Sequence, residues 1–261
     1  MTRKPSVAGM FYPDNPTHLR QMVETFFRQT AGGGEALGVV SPHAGYIYSG
    51  QTAAHAIAAL PEGFDGTIVL IGPSHQGMIT CASGEAWETP LGMVQTDRPF
   101  IEAMDITVDE FSHKGEHSLE VQVPFLQIRF PRALVAPVMM GSQSPGSVEN
   151  LAGKIIRAIR MTGREIRIVA SSDFSHYIPE DVARRQDLYA IEALRNLDVG
   201  EFFRRIHEAG VSACGYGPIA TMVTVCRSLG ATRGDLIRYT TSAEVSGDRS
   251  QVVGYAAIAV I

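Results

Sequence analysis

Short apolar runs alternate along the chain with longer stretches whose apolar residues recur every three or four positions. Six runs read as strands: "ALGVV" (36–40), "GTIVLIG" (66–72), "RALVAPVMM" (132–140), "EIRIVAS" (165–171), "DLIRYTTSAE" (235–244) and "QVVGYAAIAVI" (251–261). They are rich in Val and Ile and show no sustained polar alternation, as strands covered on both faces do. "NPTHLRQMVETFFRQ" places Leu19, Met22, Val23, Phe26 and Phe27 at helical spacing, with Asn15 as its cap and Pro16 in its first turn. Further helical patterns lie at 49–60, 117–130, 144–161, 179–197, 200–210 and 217–230, with Ser49 as the cap of the first. The alternation predicts the α/β class: a three-layer α/β/α arrangement around a central mixed, largely parallel sheet. Residues 82–97 interrupt it, and their central "TPLG" reads as the turn of a hairpin extension. The triple glycine at 32–34 reads as a turn into the first strand. With no internal repeat, one domain over 1–261 is expected.

Composition narrows the partners. Of 261 residues, 45% are hydrophobic and 19% charged, an ordinary globular balance. The formal net charge of −5 argues against a nucleic-acid partner held through phosphates. No apolar stretch approaches the roughly 20 residues of a membrane span. The start "MTRKPSVAGMFYPDNP" has no apolar core of a signal peptide. Cys81, Cys214 and Cys226 are odd in number and far apart, which disfavours a disulfide framework and points to a cytoplasmic protein.

Candidate chemistry gathers where strands end. Ligands of open α/β sheets sit beyond the carboxyl ends of the strands. "VVSPH" ends at His43, "VLIGPSH" at His75, and "IVASSDFSH" at Asp173 and His176. A parallel sheet would bring all of these to one edge. Any one histidine there reads as a polar loop residue, but the set reads as a shared site. Imidazole is the commonest ligand for zinc, copper, iron and nickel. Two strand-end histidines can hold one ion, with Asp173 or a cysteine closing the face. Cys214, in "SACGYGPI", is the candidate cysteine, since a thiol near a helix start has a lowered pKa. Asp173 and His176 are three apart, the arrangement of a carboxylate-oriented general base. In "KGEHSLEVQVPFL", His117 is a candidate pocket residue, while Glu116 and Glu120 read equally well as solvated acids at a helix start. Tyr46 is a candidate for lining the cavity.

Seven fragments in order, "AGMFYP", "PHAGYIYSG", "IGPSH", "ETPLG", "EHSLEVQVPFL", "SSDFSHY" and "CGYGPI", resemble the Memo family, the protein B of the AmmeMemoRadiSam system. The resemblance covers nearly the whole chain. It implies a fold similar to LigB-type class III extradiol dioxygenases, which use non-haem iron. It implies His43, His75 and Cys214 as metal ligands, and Asp173 and His176 as the remaining, catalytic pocket residues. Those dioxygenases complete their metal face with a glutamate where this chain has Cys214. A thiolate shifts preference toward softer metals, including copper(I) and zinc, and would alter the redox behaviour of iron. With the iron that the resemblance implies, iron or copper is expected, with zinc possible. The resemblance also implies a functional association with a radical-SAM protein.

Three readings of function follow. The first is a metal-dependent oxidoreductase acting on a small molecule, with His176 moving protons and His117 and Tyr46 facing the substrate. The second is a non-catalytic adaptor that uses the same pocket for a partner or peptide. The third is a metal-free hydrolase with Cys214 as nucleophile, which leaves His43 and His75 without roles.

Overall fold

The computed structural model describes residues 2–261. Its main sheet runs in the order Gly234–Thr241, Val252–Val260, Gly38–Ser41, Ile166–Ser171, Thr67–Pro73, Leu134–Met140, Cys81–Ala82. An eighth strand, His176–Ile178, pairs with the first half of Val252–Val260. The four inner strands from Gly38–Ser41 to Leu134–Met140 are mutually parallel, and the flanking pairs are antiparallel. All six strand runs anticipated from the sequence form strands of this sheet.

Alternate residues of the inner strands serve two cores, as the two-residue period of a strand requires. Val40, Val69, Ile71, Val138 and Met140 pack on one face, with Ile155 and Val223 from the helices Pro145–Thr162 and Tyr216–Ser228. Val39, Ile68, Leu70, Val135 and Met139 pack on the other, with Leu19, Ile57 and Phe125 from the helices Pro16–Arg28, Tyr46–Ala58 and Val123–Arg129. Covered on both sides, the sheet is the middle of three layers.

The helix Pro16–Arg28 starts as its sequence demands. Asn15 Oδ1 accepts from the N–H groups of Thr17 and His18, at 3.0 and 3.1 Å. The next helix departs from expectation. It begins at Tyr46, ahead of Ser49, whose hydroxyl donates back to Ala44 O at 3.0 Å. A tertiary bond replaces the cap: Tyr46 N–H donates to Phe11 O at 2.8 Å. The pattern over 117–130 is split between a 3-10 turn, Glu120–Gln122, and the helix Val123–Arg129. Pro124 sits in the first turn of that helix, where its missing N–H costs nothing.

The interruption at 82–97 is the expected hairpin. Ala86–Thr89 and Gly92–Val94 pair antiparallel, with Thr89 opposite Gly92. The N-terminal strand Thr2–Arg3 adds to it in parallel, making a separate three-stranded sheet. Among the described residues, no helix is long and apolar enough to cross a membrane.

Candidate metal centre

The centre is built at the carboxyl ends of the parallel strands. His43 lies two residues past Gly38–Ser41, and His75 two residues past Thr67–Pro73. His117 arrives from the loop ahead of the Glu120–Gln122 turn. Gly72 admits that loop: a Cβ there would lie 2.8 Å from Leu119 Cδ2 and from Ser118 Oγ. The ring centroids are 5.2 Å apart for His43 and His75, 5.5 Å for His43 and His117, and 4.5 Å for His75 and His117. One candidate ligand atom from each of the three lies within 4.8 Å of the others.

Cys214 joins them, with Sγ 3.1 Å from His43 Nε2. It precedes the helix Tyr216–Ser228 by two residues. Gly215 lets this turn close on the strand end, because a Cβ there would lie 2.4 Å from Ser171 O. The backbone N–H of Asp173 donates to Cys214 Sγ at 3.2 Å, and Asp173 Oδ1 accepts from His43 N–H at 2.8 Å. His176 is held at Nδ1 by Ser212 O, 3.0 Å away, and at its backbone N–H by Ser212 Oγ at 2.8 Å. The orienting group found for His176 is thus a carbonyl, while Asp173 pins the backbone of His43. Tyr46 is buried, and its hydroxyl donates to Val121 O at 2.6 Å.

Sequence reasoning gave Glu116 no certain place, and the structure buries it beside the histidines. Its Oε1 lies 2.9 Å from His75 Nδ1 and 3.6 Å from His117 Nδ1. It also accepts from the backbone N–H groups of His75 and Ser118, at 2.7 and 2.9 Å. The reading of Glu116 and Glu120 as solvated acids fails, since both are buried. Ser171 and Gln122 also escaped notice. Ser171 Oγ lies 2.9 Å from His43 Nδ1, and Gln122 Nε2 lies 2.9 Å from Ser171 Oγ. The available signal was weak: polar residues inside otherwise apolar segments, at "VAS" and "VQV".

Electrostatics favours neutral imidazoles here. Burial lowers the pKa of His43 well below its ordinary value, and the neighbouring His117 and His75 push the same way. Burial likewise lowers that of His117. Neutral imidazole is the form that binds a metal. Burial opposes the charge of Glu116, yet the hydrogen bonds from His75 and Ser118 outweigh it, and its pKa falls to about 2. Burial raises Asp173 to about 7. Cys214 reverses its expectation. Burial, then the negative charge of Asp173, raises its pKa, so the thiol is the form at rest.

The donor set fits a metal ion. Two nitrogens each about 2.1 Å from one tetrahedral ion stand about 3.4 Å apart. A 3.1 Å sulfur–nitrogen separation and nitrogens within 4.8 Å need only small side-chain adjustments to meet that.

Comparison with known proteins identifies the family. A family model described as Memo-like protein matches residues 3–259. A MEMO1 family protein of Methanosarcina barkeri is 43% identical over 265 residues, covering 99% of each chain. A MEMO1 family protein of Methanothermobacter thermautotrophicus is 42% identical, covering 98% of this chain and 99% of the relative. One of Archaeoglobus fulgidus is 42% identical, covering 98% of both. A match over nearly the full length makes the chain a member of the Memo-like protein family.

Proposed function

We propose that this chain is a metal-binding redox protein in which His43, His75 and Cys214 hold one iron or copper ion. The observation that carries the reading is the meeting of Cys214 Sγ with His43 Nε2 at 3.1 Å, beside a histidine cluster within 4.8 Å. A bound ion would give two imidazoles and a thiol from three separated loops a common purpose. Iron or copper held there would supply one-electron chemistry.

The chain's own residues divide the remaining work. Glu116 accepts the Nδ1 proton of His75, which leaves Nε2 of that ring to bind the ion. The thiol of Cys214 gives up its proton on binding, and the Asp173 N–H directed at Sγ supports the resulting charge. His176, with its Nδ1–H on Ser212 O, keeps Nε2 as a base for substrate protons. Asp173 holds or releases a proton near neutral pH. His117 stacks on His75 and faces the substrate position. A three-histidine face of His43, His75 and His117 is the second reading, favoured by the close approach of those ligand atoms.

Elemental analysis of protein isolated without oxygen tests the proposal. Near-stoichiometric iron or copper is expected, and His43→Ala and Cys214→Ser should each lose it. Retention in Cys214→Ser with loss in His117→Ala would establish the three-histidine face instead. A folded protein that takes up neither iron nor copper on reconstitution would end the redox reading.

A further inference from the structure

The histidines at the centre anchor their Nδ1 atoms on the protein, but not on equivalent groups. Glu116 faces His75 Nδ1 at 2.9 Å, and Ser212 O faces His176 Nδ1 at 3.0 Å. An ionised carboxylate and a carbonyl only accept, so each of these rings carries a proton on Nδ1. His43 is different. Its Nδ1 partner is the hydroxyl of Ser171, which can donate or accept.

The choice is made one step further out. Ser171 Oγ lies 2.6 Å from Ser118 O, an obligatory acceptor, and gives it the one hydroxyl proton. Gln122 Nε2 donates into the same oxygen at 2.9 Å. Pro42 O, 2.9 Å from Gln122 Nε2, fixes the amide in this orientation, since a flipped amide would set two acceptors against each other. Gln122 Oε1 meanwhile accepts from Ser41 Oγ at 2.7 Å. Ser171 Oγ has only a lone pair left for His43. The ring proton therefore belongs on Nδ1, and Nε2 is bare. Ser171, Ser118, Gln122 and His43 are all buried, so a lost bond here leaves a group unpaired.

We propose that Ser171, set by Ser118 O and Gln122, is a positioning residue that holds His43 as the Nδ1–H tautomer with Nε2 open toward Cys214. The consequence for metal rests on the proposed metal-binding reading. The tautomer itself belongs to the metal-free chain. Without the Ser171 hydroxyl, only the weak donor Cys214 Sγ, which can instead turn its proton to Asp173 O at 3.6 Å, still favours the proton on Nδ1. A proton on Nε2 would point at Cys214 Sγ and would have to leave before an ion could bind.

The test uses metal-free protein labelled with 15N in its histidines. Long-range proton–nitrogen correlation reads the tautomer of His43, assigned by its absence in His43→Gln. Wild type should show a protonated Nδ1 and an unprotonated Nε2. Ser171→Ala should move the proton, wholly or in part, to Nε2, and should weaken Zn2+ binding 10–100-fold. Gln122→Leu should shift the tautomer the same way by less, and it serves if the first variant does not fold. A role in packing alone would not move the nitrogen shifts. Protonated Nε2 in wild type, or unchanged tautomer and zinc affinity in folded Ser171→Ala, would overturn the assignment. The expected tautomer in a wild-type protein that binds no zinc, iron or copper would support it while ending the metal reading.

Discussion

Glu116 and Glu120 stand four residues apart, are equally buried, and each accept several hydrogen bonds, yet they serve different regions. Among the described residues, the Glu116 carboxylate meets groups of the candidate centre: the backbone N–H and the ring Nδ1 of His75, the N–H of Ser118, and His117 Nδ1 at 3.6 Å. Among the described residues, the Glu120 carboxylate accepts hydrogen bonds from the N-terminal segment alone. It accepts from Arg3 Nη1 at 2.7 Å, Ser6 Oγ at 2.8 Å, Tyr12 Oη at 2.8 Å, and the N–H groups of Ser6 and Val7 at 2.9 Å each. Arg3 also donates to His113 O at 2.9 Å and Glu116 O at 2.8 Å, and lies over the Trp87 ring. One carboxylate faces the imidazoles of His75 and His117 and can tune them. The other neutralises a buried guanidinium and ties the start of the chain to the loop that carries the centre. A buried carboxylate is therefore not in itself a sign of chemistry; its donors decide.

The sharpest way to break this division is to remove each acid in turn. Glu120→Ala strands a buried Arg3 and should cost about 3–5 kcal/mol in urea unfolding. A loss under about 1 kcal/mol would mean the N-terminal segment is not anchored there. Glu116→Gln should act on metal instead. An amide in place of one carboxylate oxygen sets N–H against N–H at His75, and zinc affinity should fall 10–100-fold. If Glu116→Gln destabilises the metal-free protein as much as Glu120→Ala, the two acids are not distinct in role.

Acid unfolding sharpens the contrast. Burial opposes the charge of Glu120, but Arg3 and the N–H groups of Ser6 and Val7 outweigh it and hold its pKa below the ordinary 4.5. A carboxyl depressed in the folded state stabilises above its unfolded pKa, and that stability is lost as pH falls through the lower folded value. The metal-free wild type should therefore lose stability below about pH 4.5, where the unfolded chain takes up the proton first. Glu120→Gln should be less stable at pH 7 and show a shallower fall below that point. Parallel curves would remove Glu120 from the acid response.

The sequence exposed one half of this comparison far better than the other. Strand ends could be read because apolar runs of Val and Ile stop at His43, His75 and the Asp173–His176 pair, and a parallel sheet must gather them. Residue chemistry and local pattern sufficed. Glu120 could not be read, because its strongest partner, Arg3, lies 117 residues away in sequence. No periodicity predicts a pairing between an N-terminal segment and a distant loop. Ser49 failed as a cap for the same reason, since Phe11 O meets Tyr46 N–H from another part of the chain. Ser171 could not be read because a hydroxyl's role depends on which acceptor takes its proton, a fact of three dimensions. The thiol of Cys214 was misread because a helix start lowers a pKa only where burial and a neighbouring carboxylate do not overrule it.

Phe11 is where the two regions touch, and it yields the smallest effect and the finest test. The ring lies at the end of the segment anchored by Glu120, yet its centroid is 4.8 Å from that of His117. Its carbonyl caps the helix Tyr46–Ala58, which begins three residues after His43. Phe11→Leu keeps the apolar bulk and the backbone bond and removes only the aromatic contact. About 0.5–1.5 kcal/mol of stability should go with that contact. If the regions are coupled through this ring, the stability losses of Phe11→Leu and His117→Ala will not add in the double variant. If they add within about 0.5 kcal/mol, Phe11 packs beside the centre without influencing it. The N-terminal segment would then be a structural strap, and the Nδ1 atoms of His75 and His43 would be tuned by Glu116 and Ser171.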